Sequence, residues 1–225
     1  HLSLRRQRQM CIRDSSSTFD GDINDGATGK TKLVKAGSGT SLTLTSGTST
    51  LSGGVEVNGG TLLVNNVSGS ATGSSAVTVG NSGTLAGTGS VTGGVSVNGE
   101  VSPGASAGAI ESLGVGSLTL AGLATFDVDR SSSAADVINV ASAATFGGTL
   151  HVDFAGSSLL GGAYQLFSFA SSSGDFESLT TSGLPEGQTA SFDPSTGVLT
   201  VAVPEPAALG TLAMLALAGL VRRRR

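Results

Sequence analysis

The sequence predicts an all-β protein built as a β-solenoid, in which short strands stack as successive coils around one core. Apolar residues alternate with small polar residues in short runs bounded by Gly, Asn and Ser, a pattern typical of strands separated by turns. Glycine makes up 35 of the 225 residues, about twice its usual share. The segment SGGVEVNGG at 52–60 recurs as TGGVSVNGE at 92–100, and such repetition favours stacked coils.

The strands are marked in chain order by apolar residues spaced two apart. Because successive side chains of a strand point to opposite faces, each apolar pair predicts one buried face. No helical periodicity appears between Phe19 and Val203, and SLTLT at 41–45 is echoed by SLTLA at 117–121. The pairs and triplets are Leu42 and Leu44, Val55 and Val57, Leu62 and Val64, Val77 and Val79, Val95 and Val97, Leu118 and Leu120, Phe126 and Val128, Leu150, Val152 and Phe154, and Leu199, Val201 and Val203.

The core composition changes near residue 122. Seven of the eight phenylalanines follow that point. We therefore expect solenoid repeats with small core residues over 16–125. A Phe-richer C-terminal β section over 126–203 is expected either to continue the coils or to cap them.

The repeats resemble those of the autotransporter-associated β-strand family. The matching segments are GKTKLVKAGSGTSLTLTSG at 29–47, GGVEVNGGTLLVNN at 53–66 and GTLAGTGSVTGGVSVNGEVSPGASAG at 83–108. The resemblance implies a right-handed parallel β-helix of the kind found in the passenger regions of surface proteins.

The last 22 residues have three parts: Pro204-Glu205-Pro206, an apolar run over 207–221 and Arg222–Arg225. The run predicts a short hydrophobic helix about 22 Å long, which is short for a bilayer that needs about 20 residues. The arginines favour a cytoplasmic C-terminus. The alternative, a buried helix of a soluble domain, lacks a polar face. The predicted membrane helix includes Ala207, Leu209, Leu212, Met214, Leu215, Leu217, Leu220 and Val221, and the predicted cytoplasmic anchor is Arg222, Arg223, Arg224 and Arg225.

This tail resembles the PEP-CTERM sorting signal of Gram-negative bacteria, and Pro204, Glu205 and Pro206 carry the match. The resemblance implies an exosortase-type processing enzyme as partner and transient contact with the inner membrane. It also implies removal of the tail and a mature form at the cell surface, in association with exopolysaccharide.

Residues 1–15 are interpreted as translated sequencing-adapter DNA, with the true N-terminus missing. The segment begins with His1, and its apolar stretch comprises only Met10, Cys11 and Ile12, whereas a signal peptide needs about 7–15 apolar residues. The alternative is a basic, disordered arm that binds nucleic acid or lipid. The only cysteine lies in this segment, so no disulfide is expected elsewhere.

The net charge of −4 hides an acidic body. Fourteen acidic and four basic residues lie between Asp20 and Asp193, so this part carries a net charge of −10. Nucleic-acid binding requires a basic surface, and we expect none here. An acidic surface suits a solvated extracellular protein.

Three motifs suggest chemistry, but each departs from the pattern that the chemistry requires. Gly104–Gly108 matches G-x-S-x-G, but no helix is expected after it and His151 is expected to face outward from a strand. Asp20–Thr31 resembles a calcium loop, but it has Asp25 at the glycine position and Thr31 at the last ligand position. Gly29-Lys30-Thr31 resembles the end of a P-loop that has Asn24 in place of its first glycine.

These departures predict a protein without catalytic residues, cofactor or metal, in which Asp127 and Asp129 form a solvated face. The expected role is structural or adhesive, within an exopolysaccharide or biofilm matrix. One alternative is a carbohydrate-binding β-sandwich that exposes Tyr164 or a phenylalanine between 126 and 192. The other is a β-helix polysaccharide lyase or hydrolase, disfavoured because Arg130 is the only arginine of the body.

Overall fold

A computed structural model describes residues 16–104, 106, 108–156 and 161–203. These residues form strands and turns without a helix. The strands are β1 (Ser17–Phe19), β2 (Leu33–Lys35), β3 (Ser41–Leu44), β4 (Val55–Val57), β5 (Gly60–Val64), β6 (Val77–Val79), β7 (Gly83–Gly87), β8 (Ser90–Val97), β9 (Glu100–Pro103), β10 (Ser112–Leu120), β11 (Leu123–Asp129), β12 (Ala134–Ala135), β13 (Val137–Val140), β14 (Ala143–Phe146), β15 (Thr149–Ala155), β16 (Gly162–Gln165), β17 (Phe167–Ser168), β18 (Ser171–Gly174), β19 (Ser178–Ser182), β20 (Thr189–Asp193) and β21 (Val198–Ala202).

The chain winds as a parallel β-solenoid of about 6 turns, which confirms the prediction of an all-β solenoid. Sheet A has the order β1-β3-β5-β7-β9-β11-β15-β19. Sheet B has the order β2-β4-β6-β8-β10-β13-β17, in which β14 also pairs with β10 and β18 pairs with β14. Neighbours along both sheets are parallel, and the short β12 returns antiparallel to β11. The chain thus alternates between the sheets and encloses one core.

Inward side chains form continuous columns along the solenoid axis. In sheet A, Leu42 pairs with Leu62, which pairs with Leu85, and in sheet B Val55 pairs with Val77. All of these side chains are buried. The predicted burial is correct for every residue of these pairs and triplets except Val203. This residue follows β21 and is 45% exposed.

Of the two internal sequence similarities, one reflects stacked coils and the other does not. The 40-residue repeat spans two coils, because Val55 pairs with Val77 and Val77 pairs with Val95. The echo between SLTLT and SLTLA does not mark equivalent positions, since the first lies in sheet A and the second in sheet B. Identical alternation serves either sheet, so similarity of short strands does not fix their place in a coil.

An antiparallel sheet in the order β16-β21-β20 adjoins the last coils. Phe192 of β20 packs against Phe146 and Phe167, with ring centroids 5.5 and 5.7 Å apart. Phe126 lies 4.9 Å from Phe167 on the solenoid side. One aromatic cluster therefore joins the solenoid core to the antiparallel sheet.

Lys35 occupies an inward position at the start of the sheet B column. It pairs with Val57 and is only 2% exposed. Its Nζ atom donates to the carbonyl oxygens of Ala36, Gly37 and Gly59 and to Thr40 Oγ1 at 3.0–3.1 Å. Burial lowers the pKa of this lysine. In the first coil, the inward position that pairs with Val57 therefore holds an ammonium group enclosed by oxygen atoms.

Across the described ranges, no helix has the length and hydropathy that a membrane crossing requires. The predicted sorting tail over 204–225 and the segment 1–15 both lie outside the described residues.

Candidate functional site

A polar groove runs across three successive coils where the chain passes from sheet B to sheet A. It is formed by residues 81–84, 98–100 and 122–123, and its volume is about 410 Å³. We call it the corner groove. Its volume falls within the range of about 300–1,000 Å³ that is usual for small-ligand sites.

The floor of the corner groove consists of glycines that the stacking of coils requires. A Cβ atom on Gly83 would lie 2.2 Å from the carbonyl oxygen of Val57, and one on Gly99 would lie 2.2 Å from that of Gly80. At Gly122 the nearest atom would be the Gly99 oxygen, at 2.1 Å. Only glycine lets the backbones approach this closely. At these three positions the groove is therefore lined by backbone atoms.

Polar side chains border this floor. Asn81 and Asn98 are exposed, and Glu100 is half-buried. Glu100 Oε1 accepts a hydrogen bond from Thr125 Oγ1 at 2.9 Å, and Oε2 accepts one from Thr84 Oγ1 at 3.4 Å. These bonds fix the carboxylate between hydroxyl groups of the two neighbouring coils.

Glycine replacement tests the stacking requirement. We expect Gly99→Ala to lower the free energy of unfolding by about 1–3 kcal/mol, because its methyl group would overlap backbone oxygens of the preceding coil. Chemical denaturation would measure the change. Gly29→Ala is the matched control, since no atom lies within 4 Å of a Cβ there. Equal stability of the two variants would contradict the stacking argument.

The G-x-S-x-G segment is followed by strand β10 and not by a helix. His151 lies on β15, where its Nδ1 atom is 2.8 Å from Thr180 Oγ1 and its Nε2 atom is 3.2 Å from both Asp153 and Ser182. These partners lie on β15 itself and on β19, its neighbour in sheet A. The hydrogen bonds of His151 therefore reinforce the ladder between two coils.

The acidic segment that resembles a calcium loop hydrogen-bonds to the next coil. Hydrogen bonds from Ser46 and Thr48 hold the pKa of Asp22 below its ordinary value, and bonds from Ser52 and Thr31 do the same for Asp25. The carboxylates and the amide are thus spread along a row of donors. The bonds join Thr45 to Asp20 (2.8 Å), Thr48 to Asp22 (2.7 Å), Thr50 to Asn24 (2.7 Å) and Ser52 to Asp25 (2.5 Å).

Asp127 and Asp129 also have structural partners. Asp127 Oδ2 accepts from the Gly108 amide at 2.7 Å. Asp129 accepts from the Ser131 amide and the Ser132 hydroxyl at 2.8 and 2.7 Å, and these bonds lower its pKa. Within the described ranges, no group of three His, Cys, Asp or Glu side chains is placed to hold a metal ion.

The P-loop-like segment Gly29-Lys30-Thr31 leads into strand β2 and not into a helix. Thr31 Oγ1 donates to the carbonyl oxygen of Asn24 at 2.7 Å, and the Thr31 amide donates to Asp25 at 2.7 Å. The segment thus closes a loop within the first coil.

The exposed aromatic platform expected for a carbohydrate-binding sandwich is wrong for Tyr164. This side chain is 5% exposed, and its ring lies 6.5 Å from that of Phe154. Phe126, Phe146, Phe154 and Phe167 are buried as well, and Phe169, Phe176 and Phe192 are partly buried against the same core. Burial of the aromatic residues follows from their place in the core that joins the solenoid to the antiparallel sheet.

Arg130 is also buried, at 2% exposed. It donates through Nη2 to Gln188 Oε1 at 2.7 Å. Because the partners are 58 residues apart, this bond ties the β11–β12 turn to the loop before β20. The only arginine of the body therefore has a structural contact and does not lie on an open solenoid face.

No protein-family model matches the chain, and no curated protein is detectably similar to it in sequence. The sorting residues Pro204, Glu205 and Pro206 lie outside the described residues. The corner groove was not predicted, although asparagines at turn positions 58, 81 and 98 offered a signal.

Proposed function

We propose that this is an exported, non-enzymatic structural or adhesive protein that an exosortase-type enzyme sorts to the cell surface. The tail carries the proposal: Pro204-Glu205-Pro206, an apolar run and four arginines occur in the order that such sorting needs. The precursor would sit in the inner membrane with its C-terminus in the cytoplasm. The mature body would then be released to the surface, into an exopolysaccharide or biofilm matrix.

The body suits that destination. A net charge of −10 between Asp20 and Asp193 keeps a glycine-rich protein hydrated outside the cell. A parallel solenoid distributes its stability over neighbouring coils, and it presents a long surface for contacts. We infer a right-handed winding, because connections between parallel strands have that hand in about 98% of cases.

Replacing Pro204-Glu205-Pro206 with three alanines is expected to leave an unprocessed precursor in the inner membrane. The physical reason is that the processing enzyme would lose the Pro-Glu-Pro motif proposed for its recognition, while the apolar run keeps the hydropathy needed for insertion. Fractionation and mass spectrometry of the C-terminus would measure processing.

The chain provides its own control. Pro185-Glu186 is a second Pro-Glu pair, and its replacement with two alanines should leave processing intact. Normal surface release of the Pro204-Glu205-Pro206 variant would overturn the sorting proposal.

A further inference from the structure

We propose that the corner groove binds an uncharged, hydroxyl-rich oligosaccharide through Asn81, Asn98 and Glu100. The inference deepens the matrix role proposed above and rests on it only for the source of the polymer.

The two asparagines supply groups suited to sugar hydroxyls. A side-chain amide offers two N–H donors and a carbonyl acceptor, and a sugar hydroxyl both donates and accepts. Within the described part of the chain, neither side-chain amide has a hydrogen-bond partner. Both are exposed beside a glycine floor. Two amides on successive coils are therefore available to a ligand that lies across the coils.

Glu100 supplies acceptors in a fixed position between them. Each carboxylate oxygen has about two lone-pair sites, and Thr125 and Thr84 occupy one on each oxygen. The remaining sites can accept from a neighbouring pair of sugar hydroxyls. Hydrogen bonds to charged groups are stronger than neutral ones, so this carboxylate is the expected anchor.

The groove also has an apolar contact and a rigid frame. Leu123 pairs with Glu100 across the strands and is half-buried, which leaves part of its side chain for the C–H face of a sugar ring. The backbone N–H groups of Asn98, Ala121 and Leu123 donate to carbonyl oxygens of the preceding coil at 2.8–2.9 Å. A frame held in this way loses little freedom on binding.

Charge selects against other ligands. Among the described residues that line the groove, Glu100 is the only charged one. The three lysines of the body all lie at positions 30–35 of the first coil, so an anionic polymer would meet repulsion without a cationic partner. A single carboxylate is also a poor site for Ca²⁺, which takes 6–8 oxygen ligands. An uncharged sugar matches the available donors and acceptors.

The experiment titrates the full chain with a panel of linear, uncharged glucose hexasaccharides that differ in linkage, while NMR follows the backbone amides. We expect at least one member to shift the signals of 81–84, 98–100 and 122–123. Asn98→Ala and Glu100→Gln should each weaken that binding at least about tenfold, as expected for one lost hydrogen bond or charge-assisted bond. Asn139→Ala, an exposed asparagine of β13 outside the groove, should bind as the wild type does.

Three outcomes would overturn the proposal: no response to any member of the panel, equal binding by Asn98→Ala and wild type, or a response to hexagalacturonate or Ca²⁺ alone. None of them bears on sorting, because the processing experiment reports only on the tail. Failure of sorting, in turn, leaves the groove titration unchanged.

Discussion

Replacing Phe167 with alanine is expected to lower the free energy of unfolding by about 3–5 kcal/mol, the usual cost of truncating a buried phenylalanine. The side chain is fully buried, and its ring lies 4.9 Å from Phe126, 5.0 Å from Phe146 and 5.7 Å from Phe192. Its loss would leave a cavity where the solenoid core meets the antiparallel sheet. Urea denaturation followed by circular dichroism would measure the change.

The strands that Phe167→Ala destabilises test the architecture, in addition to the change in the free energy of unfolding. Because a solenoid coil contacts mainly its neighbours, we expect faster amide exchange in β17–β21 and unchanged exchange in β3–β5. Phe169→Ala is the control: Phe169 is only partly buried, and the nearest ring in the aromatic cluster is Phe146 at 5.8 Å. A uniform loss of protection along all coils would contradict the expectation.

Strand alternation could be predicted from the sequence because it reflects a local property of the backbone. A pair such as Val55 and Val57 is buried wherever its strand lies, since the side-chain period of a strand is two residues. Coil length is different. It ranges from 16 residues between Leu85 and Val101 to 29 between Leu150 and Leu179, so a fixed repeat length finds only part of the stacking.

The candidate site could not be predicted because it depends on which turns stack. Asn98 and Gly99 are of residue types that mark turns, but their neighbours in the groove, Asn81 and Leu123, come from coils whose lengths differ. Lys35 shows the same limit. Its position in an alternating strand places the side chain inside the solenoid. The turn carbonyl oxygens of Gly37 and Gly59 accept hydrogen bonds from its ammonium group and offset the cost of burying the charge.

Tyr164 shows how an expectation drawn from function can mislead. The carbohydrate-binding alternative required an exposed aromatic platform at Tyr164 or at a phenylalanine between 126 and 192, but the Tyr164 ring is buried against Phe154. A glycine-rich solenoid has few large side chains, and the end of its core needs them to exclude water. Aromatic residues after residue 122 were thus a signal for the closure of the core.

A buried carboxylate predicts a distinct dependence of stability on pH. Asp136 is fully buried, and its oxygens accept from the amides of Glu111 at 2.8 Å and Asp127 at 2.9 Å. It thereby joins the entry of β10 to β11 of the next coil. Burial raises its pKa to about 6, with the nearby charges of Asp127 and Glu111 acting in the same direction.

Asp136→Ala is expected to lower the free energy of unfolding by about 2–6 kcal/mol, because it leaves the part-buried backbone amides of Glu111 and Asp127 without an acceptor, at about 1–3 kcal/mol each. For the wild type the sign of the pH effect follows from the raised pKa. The folded protein binds this proton more tightly than the unfolded chain, whose carboxyl titrates near 3.8. The contribution of Asp136 to the free energy of unfolding therefore falls as pH rises from about 4 to about 6, and then stays level.

Asp136→Asn isolates this contribution, because it nearly preserves the shape of the side chain and removes the titration. The pKa values of Asp22, Asp25 and Asp129 are lowered, so these groups lose stability as pH falls through the acidic range, in the opposite direction. They are present in both proteins and cancel in the difference. Urea denaturation at several values between pH 4 and pH 7 should show the wild-type advantage over Asp136→Asn shrinking up to about pH 6. If the difference did not depend on pH, Asp136 would have the same pKa in the folded and the unfolded protein. Its buried position between Glu111 and Asp127 would then not raise that pKa.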